Sequence, residues 1–324
     1  MTLDIDTILD RRQLRRKLSF WRIGAFLTLI IAIIAVLAAS GSFDGLTKPG
    51  AHIARVTIDG TIVEDRELLK MLSKIEEEDD VKAVMLSINS PGGTTAGGEA
   101  IYDAVRKISE KKPVVTSVKT LAASAGYMIA SASDHIVARR SSIVGSIGVI
   151  FQYPQASQLL DKIGVSIEEI KSSPLKAEPS PFHTPPPGAE AVIEDLINDS
   201  YNWFVDLVAE RRSLSRPEAL KLADGRVYSG DRGLKNKLID AVGGESTAKQ
   251  WLIEQKELDK DLEIKDWKPL RESDGLPFIQ AISSWLLGKE SNAVHAISVL
   301  NPDDLPAIFP KRLFLEGLLS IWHK

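Results

Sequence analysis

A chain of 324 residues with 44% hydrophobic and 26% charged side chains is long enough for one large domain or two modest ones, and its balance excludes a disordered or many-spanning membrane protein. Its formal net charge of -4 gives no reason to expect nucleic acid as a partner. The absence of cysteine removes disulfides, zinc-thiolate sites and thiol nucleophiles together.

At the N-terminus, Arg11, Arg12, Arg15, Arg16, Lys17 and Arg22 precede an uncharged apolar run over residues 23–39. As a helix with Trp21 at the interface, that run roughly matches a hydrocarbon core of about 30 Å. It predicts a single membrane pass, with the basic flank held in the cytoplasm and the rest of the chain exported. Leu37-Ala38-Ala39-Ser40 offers small residues for cleavage, so a removed secretory signal is the alternative. Both readings place the remainder outside the cytoplasm.

Residues 41–50 are rich in glycine and turn formers and predict a linker. Next, Ile53-Ala54-Arg55-Val56-Thr57-Ile58 alternates apolar and polar residues from Ala54 onward, a strand ended by the Asp59-Gly60 turn. Leu68, Leu69, Leu72 and Ile75 recur at helical spacing. Residues 83–88 predict a buried strand, Ile101, Val105 and Ile108 a second helix, and residues 114–118 and 136–138 two further strands. Strands alternating with helices imply an α/β fold of βαβ units around a largely parallel sheet. A long helix is expected after Pro185-Pro186-Pro187-Gly188, with Ile193, Leu196, Ile197, Phe204, Leu207 and Val208 as its apolar positions. Periodicity weakens from about Glu263, and the apolar end around Leu313 to Trp322 is expected to pack on a core, a neighbouring subunit or the membrane surface.

Two glycine-containing turns carry the chemistry. In Ile88-Asn89-Ser90-Pro91-Gly92-Gly93, Pro91 fixes its own φ while Gly92 and Gly93 permit backbone geometries closed to other residues, so amide groups can face a cleft and stabilise an oxyanion. A phosphate-binding loop is excluded, because Gly98 and Glu99 stand where that motif needs Lys and Ser or Thr. In Leu121-Ala122-Ala123-Ser124-Ala125-Gly126-Tyr127, small neighbours let a substrate backbone approach the Ser124 hydroxyl. Either turn alone is more often a plain strand-to-helix connection or a helix cap. Together they point to a nucleophilic serine.

A nucleophilic serine needs a base. The histidines, His52, His135, His183, His295 and His323, do not suit the role by position, and neither a Gly-x-Ser-x-Gly elbow nor a His-Glu-x-x-His motif occurs. A lysine is the better candidate, and Lys171-Ser172-Ser173-Pro174-Leu175-Lys176 supplies one, although most lysines are solvated surface groups.

Taken in order behind the N-terminal anchor, Ser90 to Gly93, Ala123 to Tyr127, Gly145 to Val149 and Lys171 to Lys176 resemble the motifs of the signal peptide peptidase A family. Asp224-Gly225-Arg226-Val227-Tyr228-Ser229-Gly230 and Leu238-Ile239-Asp240 add a further match. The resemblance spans roughly residues 50 to 250 and implies a Clp protease/crotonase-like βαβ superhelix behind an N-terminal transmembrane helix. It implies Ser124 as nucleophile, Lys176 as general base and Ser146 as the residue orienting the lysine amine, with Gly92 or Gly93 and Ala125 forming the oxyanion hole. Ser173 stands where the family usually has glycine, Ala177 where aspartate is common, and Lys237 where glycine precedes Leu238. The chain then divides into a cytoplasmic basic segment (1–22), a transmembrane anchor (23–40), a linker (41–50), a protease domain (51–250) and a C-terminal extension without an assigned role (251–324).

A lysine is protonated at neutral pH, so such a base must be discharged by burial, and Lys176 is expected to be shielded from water in the assembled site. One copy of the catalytic unit resembles the short form of the family. That form implies a homo-oligomeric ring in which neighbours share active sites, tethered to a bacterial inner membrane with the catalytic part outside the cytoplasm. The expected substrates are signal peptides and other apolar peptides; neither cofactor nor metal is expected. The rival readings are a protease trimming intact membrane proteins, an inactive membrane scaffold, and a crotonase-like acyl-CoA enzyme, the last disfavoured by export from the cytoplasm.

Overall fold

The computed structural model describes residues 18, 20–31 and 50–269, with the backbone of 319–321. The chain divides into two units, 1–50 and 51–324. In the first, residues 20–31 form helix α1, with exposed side chains. The remainder of the expected anchor and most of the expected linker lie outside the described residues, among which no helix is long and apolar enough to cross a membrane.

The second unit is a mixed α/β fold around one central sheet. Strand β1 (His52–Ile62) leads to helix α2 (Arg66–Glu77), whose N-terminus is capped by the Asp65 carboxylate accepting from the amides of Glu67 and Leu68. The helical spacing read from the sequence is realised, with Leu68, Met71, Leu72 and Ile75 buried against the sheet. Each such side chain contributes about 1.5–3 kcal/mol on leaving water. Strand β2 (Val81–Thr94) passes directly into α3 (Thr95–Ser109), capped by Thr94 Oγ1 on the Gly97 amide at 3.1 Å and burying Ile101, Val105 and Ile108. Strand β3 (Val114–Ala123) then gives way to α4 (Ala125–Ser131), followed by β4 (His135–Ala138) and β5 (Ile143–Gly145).

Beyond β5 lie α5 (Ser157–Ile163), the long α6 (Ala189–Arg211), α7 (Arg216–Leu222), β6 (Val227–Ser229), α8 (Gly230–Lys235), β7 (Ala241–Val242), α9 (Glu245–Lys256), β8 (Glu263–Trp267) and β9 (Leu319–Ile321). The main path of the sheet runs β6-β5-β3-β2-β1-β8, with β4 beside β3 and β7 beside β4. All these pairs are parallel except β5 with β6, and β9 adds to β2 antiparallel. The expected parallel sheet is therefore present. It also takes in residues past 250, because α9 crosses that position and β8 pairs with β1. Arg55 of β1 fastens this part, pairing with Asp266 of β8 and Glu245 of α9 at 2.5 and 2.9 Å.

Three local expectations change. Asp59-Gly60 does not end β1; Gly60 takes φ 72° and the register against β2 shifts there, so the strand bulges and continues to Ile62. Strand β2 likewise runs through Ser90-Pro91-Gly92-Gly93 instead of stopping at Ile88. In α6, Phe204, Leu207 and Val208 are buried as expected, but Leu196 is exposed and Ile193 and Ile197 are only half-buried. The sequence pattern marked an apolar face on the first half of α6 that the other described residues leave largely uncovered.

Candidate active site

Ser124 is the single residue between the end of β3 and the start of α4. Its backbone lies at φ 57°, ψ -121°, a conformation that costs a residue with a Cβ about 1–3 kcal/mol. The surroundings impose it. The Ser124 amide donates to the Gly145 carbonyl at 2.8 Å, its carbonyl accepts the Met128 amide at 2.9 Å, and Ala122, Ala123, Ala125 and Gly126 around it are all buried. The small residues are required by close packing, since a Cβ on Gly126 would lie 3.0 Å from the Ser90 carbonyl oxygen. Thus the first glycine turn and the serine turn are brought together, with Ser90 of β2 in register with Ala122 of β3.

Ser146 joins them from the other side. Strand β5 lies beside β3 with Gly145 opposite Ala123, so Ser146 follows Gly145 as Ser124 follows Ala123, at the same end of the two strands. Gly145 has φ 98° and Ser146 φ 53°, and Ser146 is 7% exposed against 1% for Ser124. The Ser146 amide donates to the Arg226 carbonyl at 2.9 Å. That bond gives the segment Asp224 to Gly230 a place in the site: β6 is the wall that holds the Gly145-Ser146 turn in shape.

The two candidate oxyanion glycines are not equivalent. The Gly92 amide already donates to Ser90 Oγ at 3.1 Å, and that hydroxyl in turn donates to the Gly60 carbonyl at 2.6 Å. Gly93 packs so closely on β1 that an added Cβ would lie 1.8 Å from the Ile62 carbonyl oxygen. Ala125 is the first residue of α4, where main-chain amides lack partners four residues back. The same stretch, Gly92 to Thr94, pairs antiparallel with Ile321 to Leu319.

Lys176 stands apart in character. It lies in the exposed turn 172–177, its amide donating to the Ser173 carbonyl at 3.2 Å. The shielding expected of a lysine base is not supplied by the described residues. Lys171, five residues earlier, is committed elsewhere: its ammonium reaches Glu169 and Glu178 at 2.5 Å each. Hydrogen bonds to Glu169 and then Glu178 hold its pKa above the ordinary lysine value, so it keeps its proton.

A profile described as Peptidase family S49 matches residues 106–259. A putative protease of Synechocystis sp. is 38% identical over 230 residues, covering 69% of this chain and 83% of its own length. A putative signal peptide peptidase A of Enterococcus faecium is 33% identical over 278 residues, covering 82% and 78%. The chain belongs to peptidase family S49, the signal peptide peptidase A family of proteases. Protease 4 of Haemophilus influenzae, 33% identical over 201 residues, is longer, and the match covers 59% of this chain and 32% of that protein. Among solved structures, a mutant of the 1510-N membrane-bound stomatin-specific protease superposes with a TM-score of 0.47 at 16% identity, over 68% of this chain and 99% of that one.

For a serine protease of the signal peptide peptidase A kind, the departures from the family motifs now have physical readings. Lys237 sits at φ 61°, which explains why glycine is usual there. Ser173 is not at positive φ, so losing the usual glycine costs no backbone strain at that position. Ala177 is at φ 61°, beside Lys176. Leu238-Ile239-Asp240 also gains a role, because the Leu238 carbonyl accepts the Tyr127 hydroxyl at 2.8 Å and so anchors the helix that follows Ser124. Sequence reasoning gave neither this anchor nor the Arg226 contact, since both join segments about 80 residues apart or more and leave no local pattern.

Proposed function

We propose that this chain is a membrane-tethered serine endopeptidase in which Ser124 attacks the peptide carbonyl and Lys176 serves as general base. The observation that carries the reading is the Ser124 turn: a non-glycine residue held at φ 57° at a strand-to-helix junction, with Ser146 fixed beside it through the Ser124–Gly145 hydrogen bond. Strain of this kind persists where the surroundings over-determine it, as at nucleophile positions.

On this reading catalysis proceeds in two stages, acylation and hydrolysis. An extended substrate adds to the edge of β2 at Gly92 to Thr94, a stretch able to accept an antiparallel strand, since β9 pairs there. The Ser124 hydroxyl transfers its proton to the neutral lysine amine as its oxygen bonds to the carbonyl carbon, and the developing oxyanion is met by the amides of Gly93 and Ala125. Gly92 is the weaker donor because its amide is engaged by Ser90. Collapse expels the amine of the leaving peptide, which takes the proton from the lysine, and water activated by the same lysine then hydrolyses the acyl-enzyme. Ser146 orients the amine. No metal or other cofactor has a part in these steps.

A neutral lysine requires a dry setting, and Lys176 is exposed in a single chain. A second copy of the chain is the natural cover. Leu159, Ile163, Val165, Ile167 and Ile170 of the 150–170 stretch and Leu196 of the first half of α6 are exposed apolar side chains, of the kind that protomers cover where they meet in a closed ring. Each lysine then serves a neighbour's serine. The succession of parallel strands and intervening helices supports a Clp protease/crotonase-like superhelix, and the basic cluster followed by residues 23–39 supports a retained anchor in a bacterial inner membrane with the catalytic unit outside the cytoplasm. Cleaved signal peptides and other apolar peptides are the substrates this placement favours.

The test is a peptidase assay of Ser124→Ala and Lys176→Ala, each made alone and then co-assembled. Both singles are expected to be inactive, and hybrids to recover activity because some sites combine an intact serine with an intact lysine. A fluorophosphonate is expected to label wild type at Ser124. Normal turnover by either single variant would end the dyad reading, and inactive hybrids would end the shared site.

A further inference from the structure

The excursion between β5 and α6, residues 150–188, has little core of its own. Helix α5 buries no residue, and every residue from 172 to 177 is exposed. The base of that turn is different. Lys171 lies between two carboxylates, 2.5 Å from Glu169 Oε2 and 2.5 Å from Glu178 Oε1, with the Glu178 side chain 2% exposed. His183 Nε2 approaches both carboxylates at 3.3 Å, and its Nδ1 lies 3.0 Å from the Thr184 carbonyl. The other Glu178 oxygen accepts the Ser180 amide at 3.0 Å. The chain just beyond is stitched to the start of α5: Gln155 Nε2 donates to the carbonyls of Ser180 and His183 at 3.3 and 3.2 Å, and the Ala156 amide donates to the Pro181 carbonyl at 2.7 Å.

Two carboxylates and an imidazole within reach of one another resemble a cation site. The Lys171 ammonium already stands between the carboxylates and supplies the positive charge, so the cluster is complete as an ion-pair network. Its geometry serves the turn. The Lys171–Glu178 pair joins the two ends of the arc 171–178, and Lys176 lies on that arc. Among the described residues Lys176 itself makes no ion pair, whereas Lys171 makes two.

We propose that Lys171, gripped by Glu169 and Glu178 with His183 alongside, is a positioning residue that closes the 171–178 turn and so presents Lys176 to the reacting serine. This rests on the reading of Lys176 as general base. A misplacement of a catalytic group by about 1 Å costs on the order of 100-fold in rate, which a turn without buried side chains cannot prevent by packing. The clamp prevents it with charge.

The experiment uses the full chain and a fluorogenic peptide, separating kcat from KM. Lys171→Ala is expected to lower kcat by about 10- to 100-fold while KM changes by less than about threefold, since substrate binds on β2 and not on this turn. Lys171→Arg keeps the charge and the hydrogen bonds to both carboxylates, so kcat is expected within about threefold of wild type. Lys176→Arg is expected to be inactive, because a guanidinium does not give up its proton. The double variant Lys171→Glu with Glu178→Lys restores the bridge in reverse and is expected to exceed either single variant by about tenfold. It also decides the matter should Lys171→Ala prove unstable. Wild-type kcat in Lys171→Ala, or a double variant no better than its singles, overturns the clamp alone. Loss in Lys171→Arg as complete as in Lys176→Arg overturns it by making Lys171 the base. Normal turnover by Lys176→Ala overturns the base assignment, and the clamp's purpose with it.

Discussion

The Ser124 amide donates to the Gly145 carbonyl at 2.8 Å, and this bond couples two residues that both hold the left-handed backbone region, Ser124 directly and Ser146 through its neighbour. Ser124 and Ser146 are thus one mechanical unit. Replacing Gly145 tests it. A Cβ there would lie 2.9 Å from Tyr228 Cδ2, at φ 98°. Gly145→Ala is expected to destabilise the fold by about 1–3 kcal/mol and to slow turnover more than its stability loss explains. Denaturant melts beside kcat measurements check both, and an active, fully stable variant would show the turn to be tolerant.

Gly93 makes a sharper demand. Its absent side chain leaves room for the Ile62 carbonyl 1.8 Å from where a Cβ would stand. Gly93→Ala forces apart β1 and β2 and is expected to cost about 3 kcal/mol or more. Gly148→Ala is the control, because its nearest neighbour, Gly225 Cα, would be at 3.6 Å. Comparable melting of the two variants would contradict the packing argument.

Lys237 holds φ 61° where glycine carries no penalty. Lys237→Gly is expected to raise stability by about 1 kcal/mol, the relief of left-handed strain less the entropy of a freer unfolded chain. Its carbonyl, which accepts Arg212 Nε at 2.7 Å, is retained. Thermal denaturation reads the gain, and a lower midpoint would refute it.

His135 gives a pH dependence. It begins β4, stacks on Trp251 with ring centroids 4.6 Å apart, and has Asp240 at 3.9 Å. Burial pushes its pKa below the ordinary 6.5, outweighing the Asp240 charge that favours protonation, while Arg212 adds to the lowering. A histidine depressed in the folded state leaves stability intact above about 6.5 and withdraws it as pH falls through the folded value, because the unfolded chain binds the proton more readily. Melting points measured from pH 8 down to 5 are expected to fall less steeply in His135→Gln. Identical slopes would remove His135 as the cause.

How much of this was legible in the sequence depended on range. Leu68, Leu72 and Ile75, or the buried run of β2, announce themselves because helix and strand periods are local, and the small residues around Ser124 mark a close approach without saying what approaches. The continuation of β1 through Gly60 was not legible, since a glycine that bulges a strand and one that ends it read alike until the partner strand is known. The same holds for the first half of α6: Leu196 fits an apolar stripe, but a stripe does not say whether its own chain or another covers it. The Lys171 network was hidden for a related reason. Opposite charges two to fourteen residues apart along irregular backbone meet only once the turn is folded.

One further consequence comes from β9. Residues 319–321 take up main-chain bonding positions along Gly92 to Thr94, and any extended peptide added to that edge must displace them. Because the occupant is on the same chain, dilution does not weaken it. For a substrate that binds as proposed, residues 319–321 are a competitor on the same chain, and deleting residues 319–324 is expected to lower the apparent KM for peptides while leaving kcat nearly untouched.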